Sequence, residues 1–362
     1  MADAPGLLER LDAGPVICAE GYLFELERRG YLQAGAFVPE VVLEHPEKVT
    51  ELHREFVHAG SDVVEAFTYY AHREKLRIIG REHLLERINR QALDLARDVA
   101  RETGTLLAGN VCNTNVYTGE ASRDTVRGMF EEQVGWAADA GADFVIGETF
   151  SWTGEALAAT EVIKAAGLPA VVTLTPHSDP DTRDGLDVAD ACRALEAAGA
   201  DVVGLNCARG PETMMPLLEE VRAAVSVHVA ALPVPYRTHA AEPSMQSLRD
   251  PLAPDRRAFP SGLDPFTCTR HEITRFTADA LALGVDYLGV CCGAAPHHIR
   301  AMAEAIGRTP PASRYSADMS KHAYLGTDPT LKTEYRLAGG VRPIASAIAR
   351  MWWGAAPQQT PR

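Results

Sequence analysis

A short pattern recurs four times along the chain and limits what it can fold into. A helical stretch ends in a small residue, then Gly-x-Asp, then a run of apolar residues. The copies are Ala59-Gly60-Ser61-Asp62, Ala140-Gly141-Ala142-Asp143, Ala198-Gly199-Ala200-Asp201 and Leu283-Gly284-Val285-Asp286. Each glycine marks a helix end, where a left-handed residue is favoured. Each following run is apolar on successive residues, the signature of a strand buried on both faces of a parallel sheet. Four more short apolar runs, at 15–18, 105–111, 169–175 and 227–232, fall between the copies. Amphipathic stretches such as 83–102 separate most of them. Eight strands alternating with helices predict a (β/α)8 barrel. The rival, a doubly wound open sheet, lacks a Gly-x-Gly-x-x-Gly after its first strand.

The expected layout is a barrel over 1–309 and a C-terminal extension over 310–362. The extension carries Trp352 and Trp353, and an exposed Trp pair is costly to leave in water, so it is expected to reach another subunit. Residues 235–268 form a long proline-rich connection, of the kind that covers a site or an interface. A hydrophobic content of 46% is that of a globular chain, and a net charge of -14 disfavours nucleic acid and anionic membrane as partners. No apolar run is long enough to span a bilayer, and the opening residues lack the basic and apolar segments of a signal peptide. Seven cysteines without compact disulfide spacing fit a reducing cytoplasm.

Polar and sulfur-bearing residues gather at the predicted C-terminal ends of the strands. Glu20, Glu65, Glu148, Cys207 and Cys292 close strands 1, 2, 4, 6 and 8, and active sites of such barrels sit on that face. Neighbouring strand residues point to opposite faces. The adjacent Cys291 and Cys292 can therefore share a target with Cys207 only where the strand ends and turns, which Gly293 permits. Three thiolates with no fourth protein ligand describe an open zinc site, and catalytic zinc keeps a position free. A thiol entering that position loses its proton and becomes a nucleophile, with methyl transfer the leading use. An adjacent cysteine pair can also form a strained disulfide or simply pack. A lyase or hydrolase using zinc as a Lewis acid is a further alternative. His297 and His298 are expected at a surface helix start.

Gly-Leu-Asn-Cys (204–207) with Gly-Val-Cys-Cys-Gly (289–293) resembles the zinc signature of the homocysteine S-methyltransferase family, and most of all its betaine–homocysteine members. The likeness extends through 7–14, 24–31, 44–49, 52–56, 67–71 and 296–301. It implies a (β/α)8 barrel with Zn2+ on Cys207, Cys291 and Cys292. It implies methyl transfer from a quaternary ammonium or sulfonium donor to homocysteine, forming methionine, in a homo-oligomer (dimer or tetramer). Another thiol acceptor is the alternative. Glu148 matches the family glutamate that takes the amino group of homocysteine, and Tyr70 matches a donor-site tyrosine. Phe37 stands where the betaine enzymes carry tryptophan. Glu20, Gly21, Glu65 and Asn206 complete the expected substrate contacts. Four positions depart from the pattern. Ala19-Glu20-Gly21 replaces the family's Asp-Gly, Val38 replaces a threonine and Glu65 replaces a glutamine. The acceptor pocket is therefore expected to lose polar partners at Ala19 and Val38 and to gain acid at Glu20 and Glu65.

Overall fold

The computed structural model describes residues 5–322 and 326–330. Eight parallel strands close into a barrel: β1 (Val16–Ala19), β2 (Val63–Glu65), β3 (Leu106–Cys112), β4 (Phe144–Phe150), β5 (Ala170–Leu174), β6 (Val202–Asn206), β7 (His228–Leu232) and β8 (Tyr287–Val290). β1 pairs with both β2 and β8, so no edge is left open. Helices follow the strands and cover their outer faces, as the continuous apolar runs require. Every strand is buried along its length except at His228, where β7 begins.

The fourfold sequence pattern has a shared physical cause. Gly60, Gly141, Gly199 and Gly284 all have positive φ, between 76° and 116°, and turn the chain from helix into strand. The aspartate that follows accepts a hydrogen bond from a backbone N–H of the preceding strand. Ile17 donates to Asp62 (2.8 Å), Leu107 to Asp143 (2.7 Å), Ala170 to Asp201 (2.8 Å) and Val229 to Asp286 (3.2 Å). These donors lie at strand starts, where ladder partners run out. Each aspartate thus ties an even-numbered strand to the odd-numbered one before it.

Residues 235–268 are not structureless. They contain a two-stranded antiparallel ribbon, Arg249–Asp250 with Ala253–Arg257, and their flanks return to the C-terminal face of the barrel. The compact unit carrying the barrel runs to Ser313, and the remaining residues form a second unit. Trp352 and Trp353 lie outside the described residues. No helix among the described residues is long and apolar enough to cross a membrane.

His53 gives the fold a testable acid sensitivity. It is fully buried on the helix Pro46–Ala59, packs edge-on against Tyr22, and neither ring nitrogen has a hydrogen-bond partner. Burial pushes its pKa down to about 3, so the native state keeps the ring neutral. Above pH 6.5 neither state is protonated and nothing is lost. Below it the unfolded chain takes up a proton that the native chain refuses, so stability falls as pH falls, by roughly 2 kcal/mol between pH 6.5 and 5. His53→Leu is expected to remove that part of the acid slope in urea unfolding. Equal slopes in the parent and the variant would refute the assignment.

Candidate functional site

The turns after β6 and β8 bring three sulfurs together. Cys207 and Ala208 both take left-handed conformations, φ 58° and 50°, which swing the chain off the barrel as β6 ends. The Cys207 amide still donates to Leu232 O (2.9 Å). The Cys291 amide donates to Pro233 O (3.0 Å), and Gly293 (φ 95°) then reverses the chain. A side chain at Gly293 would collide with the Tyr236 hydroxyl. That hydroxyl accepts from Arg28 Nη2 (2.6 Å), and Arg28 Nη1 donates to Gly293 O (3.3 Å), so the turn is braced from outside. The Sγ atoms of Cys207, Cys291 and Cys292 lie within 4.8 Å of one another. Tetrahedral thiolate ligands on zinc are about 3.8 Å apart, so the three fit one ion with little movement. All three are free thiols. The neighbouring thiols of Cys291 and Cys292 hold the Cys207 thiol well below the usual range, while Cys291 and Cys292 are themselves pushed up.

Beneath the sulfurs sits a cage of acid. Glu20 follows β1, Glu65 ends β2 and Glu148 lies in β4, and all three are buried. Asn110 of β3 bridges two of them, its Nδ2 donating to Glu65 Oε1 (2.5 Å) and Glu148 Oε1 (2.7 Å). Asn206 of β6 donates from Nδ2 to Glu148 Oε2 (2.8 Å) and to Thr149 Oγ1 (2.9 Å), and its Oδ1 accepts from the Thr149 amide (3.0 Å). Thr149 needs that clamp, because φ of 62° is an outlier for a β-branched residue. A Glu20 oxygen comes within 4.8 Å of a carboxylate oxygen of Glu65 and of one of Glu148. Neither Glu20 oxygen has a hydrogen-bond partner. Burial, then the neighbouring acids, push Glu20 and Glu65 well above the usual carboxylate range. Burial raises Glu148 to about 7. The cavity the cage encloses is about 20 Å³ and is bordered by Cys291 and Cys292. That is room for roughly one water.

On the other side of the sulfurs a larger cavity, about 130 Å³, opens toward the C-terminal face of the barrel. Phe24, Phe37, Tyr69, Tyr70 and Phe259 supply aromatic walls, and Cys207 and Cys292 its floor. Phe24 meets Phe37 and Phe259 edge-on at centroid distances of 6.0 and 6.2 Å. Phe37 and Tyr70 also hold left-handed conformations (φ 55° and 59°). Lys75 Nζ lies 4.2 Å from the centroid of the Tyr70 ring. Met245, Gln246 and Phe259 come from the long 235–268 connection, which therefore covers this cavity.

A model of the homocysteine S-methyltransferase family matches residues 18–306. The chain belongs to that family. It is 37% identical over 345 residues to betaine–homocysteine S-methyltransferase 1 of Xenopus tropicalis, covering 91% of this chain and 84% of that one. It is 35% identical to an S-methylmethionine–homocysteine S-methyltransferase of Pongo abelii, covering 95% and 96%. Its fold is similar to that of the metallated form of the homocysteine methyltransferase MmuM from Escherichia coli. The TM-score there is 0.63 at 20% identity, over 82% of this chain and 98% of that one.

Within this family frame, the structure places Cys207, Cys291, Cys292, Glu20, Glu65, Glu148 and Asn206 in one cluster, and Phe37 and Tyr70 around the outer cavity. Gly21 lines neither cavity. A Cβ there would lie 2.4 Å from that of Ala294, so the glycine lets the turns after β1 and β8 pack. Two of the positions that depart from the family pattern lie in apolar surroundings. Ala19 is buried within β1, and Val38 packs with Ala71, Leu76, Leu85 and Ile88 in a satellite core. Neither lines the acid cage or the aromatic cavity. His298 is not at the surface either. It is buried, its Nδ1 accepting from the Ala295 amide (3.1 Å) and its Nε2 meeting Cys268 O (3.3 Å). Asn110, Thr149 and Tyr69 were not anticipated. Asn110 carried a readable signal, a polar side chain inside the apolar run Leu-Leu-Ala-Gly-Asn-Val-Cys.

Proposed function

We propose that this protein is a zinc-dependent S-methyltransferase that moves a methyl group from an onium donor to an amino-bearing thiol, homocysteine being the family acceptor. The observation that carries the reading is the position of Cys292, which borders both the acid cage and the aromatic cavity. A thiol held there has its amine among carboxylates and its sulfur facing the donor. An all-sulfur donor set suits zinc among the divalent ions, whereas the other close groups mix cysteine with glutamate. When bound, zinc would deprotonate the acceptor thiol and hold it as a nucleophile.

The chain's own residues supply orientation. Glu148, fixed by Asn110 and Asn206, accepts from the acceptor's ammonium. The rings of Phe24, Phe37, Tyr69 and Tyr70 surround the donor, since quaternary ammonium and sulfonium groups favour aromatic faces. The connection 235–268 helps exclude water through Met245 and Phe259. The reaction forms an S–CH3 bond and breaks the donor's bond to the same methyl. The donor departs as a neutral amine or sulfide with the electron pair, and the thiol proton passes to solvent. No general base is needed for the transfer. Both relatives' donors, betaine and S-methylmethionine, have the required onium group. The chain is further proposed to act in the cytoplasm and, from its Trp352–Trp353 tail, to self-associate as a dimer or tetramer.

Purified, zinc-loaded protein incubated with homocysteine and glycine betaine or S-methylmethionine is expected to form methionine, and chelation to stop it. Product formed from the donor alone, with no thiol present, would point to a lyase or hydrolase. No methylated product from homocysteine or any other aminothiol would refute the proposal.

A further inference from the structure

The two turns that carry the sulfurs share a support that lies outside both the acid cage and the aromatic cavity. The chain leaving β7 runs between them. Leu232 O accepts from the Cys207 amide (2.9 Å) and Pro233 O from the Cys291 amide (3.0 Å), while the Val234 amide donates to Arg209 O (3.0 Å). Tyr236 then touches both turns with opposite ends of the residue. A Cβ at Gly210 would run into its carbonyl oxygen, and one at Gly293 into its hydroxyl. Its backbone is fixed on either side, because Pro235 O accepts from the Cys268 amide (2.8 Å) and the Arg237 amide donates to Phe266 O (2.7 Å). Tyr236 is 1% exposed, and a buried hydroxyl needs a partner. Arg28, the last residue of the helix Tyr22–Arg28, supplies it, donating from Nη2 at 2.6 Å while Nη1 reaches Gly293 O. The Nε of the same guanidinium lies 3.6 Å from Asp264 Oδ1. One cation therefore joins the helix after β1, both ends of the 235–268 connection and the turn after Cys292.

We propose that Tyr236, anchored by Arg28, is a positioning residue that fixes the spacing of the Cys207, Cys291 and Cys292 sulfurs and so sets how tightly the chain holds its metal. This rests on the metal part of the reading above and not on the transfer step. The physical need comes from the sequence. Cys291 and Cys292 are adjacent, so both sulfurs face one ion only while the backbone turn stays closed. Gly293, with a φ of 95°, makes that turn but has no side chain of its own to hold it. A rigid ring set between this turn and that of Cys207 keeps the two at a fixed distance. The Arg28 fork holds ring and turn in one geometry. An open site with three protein ligands has no fourth to restore the arrangement when one turn drifts.

Two variants test this. Tyr236→Phe keeps the ring and removes the hydroxyl. Arg28→Lys keeps the charge but cannot hold two acceptors in the fixed fork of arginine, and its part-exposed position should let the chain fold. Chelator competition on the reduced proteins is expected to show zinc affinity falling by roughly ten-fold or more in both, the scale of losing an outer partner of a metal ligand. The cobalt(II) forms are expected to show altered thiolate charge-transfer and d–d bands, which report ligand geometry without turnover. Zinc stabilises the fold that binds it, so the gap in urea midpoint between zinc-loaded and metal-free protein should narrow in each variant. Equal falls with and without zinc, together with parental zinc affinity and cobalt spectrum, would reduce Tyr236 to a packing residue and overturn the proposal. A parent that binds zinc on its three cysteines but methylates no thiol would overturn the transfer reading and leave this inference standing. A parent that holds neither metal would overturn both.

Discussion

Replacing Cys207 by alanine is expected to lower methyl transfer by a factor on the order of 10³ or more and to empty the metal site, while the barrel stays folded. Even residues that only orient metal ligands cost 10–100-fold in affinity or activity when lost, and here one of three protein ligands is removed from an already open site. The fold should survive because the contact that places this turn is made by the backbone. The Cys207 amide donates to Leu232 O, and alanine at the next position already tolerates the same left-handed region. Cys192 is the control. It is buried on the helix Val188–Ala197, burial alone raises its thiol to about 12, and it has no place in either cavity. Cys192→Ala should keep full metal content and turnover. Elemental analysis of the reduced proteins, alongside the methylation assay, decides the matter. Retention of one metal per chain in Cys207→Ala would remove the basis for the proposed site.

The second large effect lies two strand residues before Asn206. Gly204→Ala is expected to destabilise the barrel by about 3 kcal/mol or more, in the class of overpacking errors. A Cβ at this position would lie 2.0 Å from Ala230 O and 2.7 Å from the carbon and nitrogen of the same residue. Those are backbone atoms of β7, paired in register with Gly204, so no side-chain rotation can relieve the clash. The loss should lower Tm by roughly 5 °C or more, or leave the chain insoluble. Gly135 makes the contrast. It is exposed within the helix Arg123–Ala140, and a Cβ there meets nothing within 4 Å. Gly135→Ala should therefore stabilise the protein by roughly 0.5–1 kcal/mol. Thermal unfolding of the two variants beside the parent tests both signs, and a Tm for Gly204→Ala equal to the parent's would show that β6 and β7 are not as closely joined as described.

Much of the site could be read from the chain because barrel chemistry is concentrated at strand ends. An apolar run that closes on Glu65, Glu148 or Cys207 marks the residue and the face together. Asn110 stands inside its run, Leu-Leu-Ala-Gly-Asn-Val-Cys, where a rule about run ends does not find it. Other residues left no such mark. Asn206 could be placed in a motif, but its clamp on Thr149 and Glu148 joins residues 57 and 58 positions away. Val38 sits beside Phe37 in the chain, yet the two serve different environments, because the left-handed conformation at Phe37 redirects the chain between them. The aromatic ring of Phe259 comes from a segment whose length alone suggested a cover.

The amino-acid sequence alone determined the alternation of buried strands and helices, and with it the closed barrel. Periodicity, glycine helix ends and strand-start aspartates act over a few residues and add up in one direction. It also determined which side chains stand on the C-terminal face. Only the tertiary structure decided that Glu20, Glu65 and Glu148 meet in one water-sized space, that Cys292 borders two cavities, and that His298 is inside. Those facts depend on distances between strands far apart in the chain, and closure of the barrel sets such distances where local propensity cannot.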